Sequence, residues 1–104
     1  MTLSEFIKNN GLLQSFPPID FFEVLTNGKD IICWVDIDCF RKNSYFLKVN
    51  EAGEIIGELS FKEIYQKIDT LFENGWYKSE NSFVDIDIKL WIENFADGYG
   101  IPLT

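Results

Sequence analysis

At Ser60 the apolar pattern of the chain changes period. Upstream, in S-Y-F-L-K-V-N-E-A-G-E-I-I-G-E-L-S, two short runs rich in aromatic and β-branched residues flank a turn at 50–53, the pattern of a β-hairpin. Gly53 can take the positive φ that a three-residue loop needs. Downstream, in S-F-K-E-I-Y-Q-K-I-D-T-L-F-E-N-G, Phe61, Ile64, Tyr65, Ile68, Leu71 and Phe72 recur at helical spacing. Ser60 and Glu63 have capping-box spacing, and Gly75 fits the position just past the helix end. Sheet and helix packed on one core make an α+β domain.

The flanking segments extend this architecture. Thr2 and Glu5 form a second capping-box pair, Leu3, Phe6 and Ile7 share a face, and Gly11 is the expected stop. Pro17 and Pro18 then break the chain. In F-F-E-V-L-T-N-G-K-D-I-I-C-W-V-D-I-D-C-F, Asn27-Gly28 predicts a hairpin turn. The spacing of Asp20 and Glu23, with Gly28 beyond, leaves a short helix over 20–28 as the alternative. Phe21, Phe22, Val24 and Thr26 are poor helix formers and favour the strand. Near the C-terminus Val84, Ile88, Trp91, Ile92, Phe95 and Tyr99 step at three and four, with Gly98 as the expected stop. Alternation of Val84, Ile86, Ile88 and Leu90 keeps a strand over 83–90 open. The expectation is a single domain over 1–104: an antiparallel sheet of three to four strands, an N-terminal helix and two C-terminal helices.

Charge narrows the partners. Seventeen Asp and Glu face nine Lys and Arg, a net charge of -8, and Arg41 is the only arginine. Phosphate recognition uses arginine forks and basic clusters, so nucleic acid and anionic membranes are not expected partners. A negative field attracts basic proteins. The longest wholly apolar run, I-I-C-W-V, is far too short to span a membrane. The opening M-T-L-S-E-F-I-K-N-N-G has no apolar signal core, and a cytoplasmic location is expected. On one straight strand Cys33 and Cys39 lie roughly 20 Å apart, at ~3.3 Å per residue. That forbids a disulfide between them, so two reduced thiols are expected.

The absences bear on chemistry. Histidine is missing, and with it the common general base, the usual nucleophile systems and the preferred zinc ligand. No phosphate-loop, dinucleotide or hydrolase-elbow motif is present. The tetrapeptide V-D-I-D occurs at 35–38 (with Val35, Asp36 and Asp38) and at 84–87 (with Asp85 and Asp87). Neither copy makes a calcium loop: counting from Asp36 the sixth and twelfth positions are Arg41 and Leu47, and counting from Asp85 the twelfth is Ala96. A magnesium site at Asp36 and Asp38 would call for substrate phosphates, which this charge repels. No catalytic residue, metal or cofactor is expected; a small carboxylate or metal enzyme is the alternative from another class.

Strand parity gives the first V-D-I-D a plain explanation. Ile31, Cys33, Val35, Ile37 and Cys39 form an apolar face, while Asp30, Ile32, Trp34, Asp36, Asp38 and Phe40 take the other. Pairing Asn50 with Glu54 puts Phe46 opposite Glu58 and Lys48 opposite Ile56. A strip of Trp34, Asp36, Asp38, Phe46, Glu54, Ile56 and Glu58 results, with rings as anchors and acids for steering, as at a protein interface. The competing possibility is that a helix covers Trp34 and Phe46. The second V-D-I-D precedes a helical pattern, where Asp85 and Asp87 suit the helix dipole.

In size, acidity, aromatic content and α+β pattern the chain resembles bacterial toxin-immunity proteins, the antidotes to contact-dependent growth-inhibition toxins and nuclease bacteriocins. The resemblance is one of overall character and transfers no residue. It implies an antitoxin that binds and neutralises a cognate basic toxin domain, such as a nuclease, by occluding its active site or a nearby surface. A phage-type inhibitor that mimics nucleic acid against a host nuclease is the alternative of the same physical kind.

Overall fold

The computed structural model describes residues 1–9, 20–36 and 43–104. Gly11, Pro17, Pro18, Ile37, Asp38, Cys39, Phe40 and Arg41 lie outside the described residues. In chain order the elements are α1 (Leu3–Asn9), β1 (Asp20–Thr26), β2 (Ile31–Asp36), β3 (Tyr45–Val49), β4 (Ile55–Leu59), α2 (Phe61–Glu73), β5 (Tyr77–Lys78) and α3 (Ile88–Tyr99). The five strands form one antiparallel sheet in the order β4-β3-β2-β1-β5. The α+β class, the N-terminal helix and the two C-terminal helices are as expected. Residues 20–26 are strand rather than helix, and the fifth strand is an addition.

Local chemistry explains the ends of these elements. The Thr2 hydroxyl accepts from the Glu5 amide at 3.1 Å, and the Glu5 carboxylate accepts from the Thr2 amide at 3.2 Å. The backbone bond from Thr2, then its hydroxyl, holds the Glu5 pKa below its usual value. Ser60 and Glu63 close the same reciprocal box on α2, at 3.1 and 3.2 Å. Ser60→Ala is expected to cost about 1 kcal/mol of stability, read as a shift in the urea midpoint at constant slope. No shift would mean that the box is not holding the helix end. At the α3 start Asp87 is the N-cap, its carboxylate accepting from the Leu90 amide at 3.1 Å. Gly100, at φ 68°, ends α3. The expected stop, Gly98, instead lies within its last turn. Asn27 accepts from the Lys29 and Asp30 amides, and Gly28 takes φ 87° in the β1–β2 turn.

The sheet is covered on both faces. Against one face pack α2 and α3, burying Val24, Leu25, Ile32, Trp34 and Phe46 with Phe61, Ile64, Ile68, Ile88 and Ile92. Against the other, Cys33, Val35, Leu47 and Val49 meet Leu3 and Phe6 of α1. Two-sided burial explains why I-I-C-W-V is apolar at every position. Two β-bulges adjust the register. The first lets Val24 and Leu25 both enter the larger core. The second makes Ile56 an extra residue, so that Gly57 opposes Lys48, Glu58 opposes Leu47 and Leu59 opposes Phe46. The expected pairings of Lys48 with Ile56 and of Phe46 with Glu58 are therefore corrected by one residue.

Candidate functional site

The strip expected from strand parity does not assemble on the surface. Trp34 is 3% exposed and Phe46 is 1% exposed, both beneath the helices. Trp34 stacks on Phe22 at 5.6 Å and meets Phe95 edge-on at 5.6 Å, while Phe46 lies 4.8 Å from Phe61. Asp36 is fully buried at the end of β2. Asp38 is outside the described residues. Glu54, just before β4, and Ile56 and Glu58 on it remain exposed, but the bulge separates them. Glu58 turns to the α1 side, where, after burial, it is the second cause raising the Tyr45 pKa. For β4 the physical reason is the slip, since one residue of register exchanges the faces of a strand; Trp34 and Phe46 leave the surface because α2 and α3 cover their face of the sheet.

Anchors and acids do meet elsewhere, around the second V-D-I-D. The path there begins at the end of α2. The Trp76 amide donates to the Leu71 carbonyl at 3.0 Å and the Gly75 amide to the Phe72 carbonyl at 3.2 Å, the two bonds of a Schellman motif. It requires a left-handed residue, and Gly75 has φ 90°. This turn drives Trp76 into the core and sends Tyr77 and Lys78 along β1 as β5. The loop then returns through Val84, which is buried, to the Asp87 cap.

Between these segments lies a groove of about 440 Å³, lined by Phe72, Tyr77, Lys78, Asp85, Ile86 and Asp87 over the core residues Trp76 and Ile88. Its size falls in the ~300–1,000 Å³ range of ligand clefts. Tyr77 is 50% exposed, and Phe72 and Ile86 are exposed as well. Tyr77 also lines a smaller polar groove, about 280 Å³, together with Glu23, Thr26, Ser79, Glu80 and Asn81. Tyr77 thus borders both clefts, and each cleft holds carboxylates.

Ser79 fastens this surface to the sheet. Its amide donates to the Val24 carbonyl at 3.0 Å, and its hydroxyl donates to the Glu23 carboxylate at 2.7 Å and accepts from the Asn81 amide at 3.2 Å. Ser79 is buried, so Ser79→Ala is expected to cost about 1–3 kcal/mol by removing a charge-assisted bond. A urea midpoint within error of the parent would show that Glu23 does not depend on it.

Among the described residues, no three Cys, Asp or Glu side chains are grouped so as to hold one metal ion. No described helix is long and apolar enough to cross a membrane. No family model matches the chain, and neither a curated protein nor a solved structure matches it.

Proposed function

We propose that this chain is a non-catalytic inhibitor-type protein that binds and occludes a basic partner protein. The partner implied by its overall character is a toxin nuclease domain. One observation carries the proposal: in a chain of net charge -8, exposed Tyr77, Phe72 and Ile86 stand beside Asp85 and Asp87 on a hydrogen-bonded frame. Exposed apolar side chains supply anchors, and the surplus of acids over bases supplies steering. A frame held by a Schellman turn, a helix cap and the Ser79 bonds limits the ordering cost of binding.

The test is direct binding between purified chains. Candidate partners are the product encoded immediately upstream and any chain retained from the native host by the tagged protein. A 1:1 complex with a strongly basic chain, and loss of that chain's nuclease activity in it, is the expected result. A partner that is itself acidic would overturn the proposal, as would turnover of a substrate by this chain alone.

A further inference from the structure

Resting on that binding role, we infer that the groove beside β5 receives an extended basic segment of the partner, with a Lys or Arg side chain placed against Tyr77 near Asp85 and Asp87. Three observations converge. First, β5 is the last strand of the sheet among the described residues. The opposite edge, β4, is covered where it begins: the Ile55 amide donates to the Met1 carbonyl at 2.8 Å and the Leu3 amide to the Gly53 carbonyl at 2.7 Å. The Ile56 bulge interrupts β4 further on. Among the described residues, β5 is the edge without such a cover.

Second, alternation fixes which backbone groups face outward there. Ser79 bonds Val24, and Lys78 is the next residue back, opposite Leu25. Hydrogen-bonded and non-hydrogen-bonded pairs alternate in an antiparallel ladder, so the Lys78 N–H and C=O point away from β1. An added strand pairs with such groups. Two residues offer little length, so side chains must supply most of the selectivity.

Third, the groove selects charge. Asp85 and Asp87 line it beside the Tyr77 ring, and a cation gains from both carboxylates and a π face. Asp87 already accepts the Leu90 amide, which leaves Asp85 as the groove acid that makes no hydrogen bond or ion pair among the described residues. Lys78 is the local opponent of a cation, and its removal should strengthen binding.

The probe is an N-acetylated, C-amidated heptapeptide of alternating valine and arginine, titrated into the full chain by calorimetry and by amide NMR. The expected shifts centre on 77–79 and 85–88. Asp85→Lys should weaken binding about tenfold, and Lys78→Glu should tighten it several-fold. The same peptide with glutamate for arginine should not bind. Glu51→Lys, exposed in the turn between β3 and β4 and remote from the groove in sequence, controls for net charge. Shifts centred on 54–58, or equal weakening by Glu51→Lys and Asp85→Lys, would overturn the groove assignment. A basic partner whose footprint lies elsewhere would sink the groove and spare the binding role. An acidic partner would sink the role, whatever the peptide does.

Discussion

Trp34→Ala is expected to lower the unfolding free energy by about 3–5 kcal/mol. The ring sits between sheet and helices with Phe22, Phe83, Trp91 and Phe95 around it, at centroid distances of 5.6, 6.0, 6.4 and 5.6 Å. Truncation leaves a cavity that surrounding rings cannot close without leaving their own contacts. Domains of this size are stable by only about 5–15 kcal/mol, so the variant should be partly unfolded or nearly so at 25 °C. Tyr77→Ala, at an exposed position, should cost less than about 1 kcal/mol. Urea titration of the two variants separates core from surface directly. Equal small losses would contradict the burial of Trp34.

The second large effect is chemical. Burial, and then the charge of Glu23, push the Cys33 thiol up from its ordinary 9.0 to about 12. At pH 8 this reduces the reactive thiolate about a thousandfold, before burial limits access. Site-resolved mass spectrometry after alkylation should find Cys33 nearly unlabelled in the native protein and labelled fully in urea. Rapid native labelling would contradict its place on the α1 side of β2. The same shift has a signed effect on stability. Above pH 9 the unfolded chain has lost this proton while the folded chain keeps it. Stability therefore falls as pH rises from about 9 toward 12. Tyr45, raised by burial and then by Glu58, acts in the same direction. Cys33→Ala should flatten part of that decline.

These two residues also show what strand parity conveyed and what it withheld. Parity separated Cys33 from Trp34 correctly, since they occupy opposite faces of β2. It could not say which layer would cover each face, because a strand buried on both sides carries no polar face to mark the outside. The capped helix from Phe61 to Glu73 was legible because its signals are local: Ser60, Glu63 and Gly75 act within a few residues. The turn at Asn27 and Gly28 was legible for the same reason. The bulge at Ile56 was not, since it depends on how Leu59 and Phe46 fit the helical layer. Gly98 was the expected end of α3, and only the backbone shows that Gly100 carries the positive φ there. The groove drew on Phe72, Tyr77 and Asp85, from three stretches that no spacing rule joins. Its one sequence signal was the second V-D-I-D at a helix start, with Asp85 left over once Asp87 had become the cap.

Binding of a basic partner through a steering acidic field is the central claim, and association kinetics test it most directly. Stopped-flow mixing of the purified pair should be run from about 0.01 to 0.1 M salt, across which the screening length shrinks from about 30 to 10 Å. The association rate is expected to fall about tenfold or more, while dissociation changes little. Asp85→Lys should slow association at low salt and flatten that dependence. An association rate that is insensitive to salt, or that rises with it, would contradict the claim.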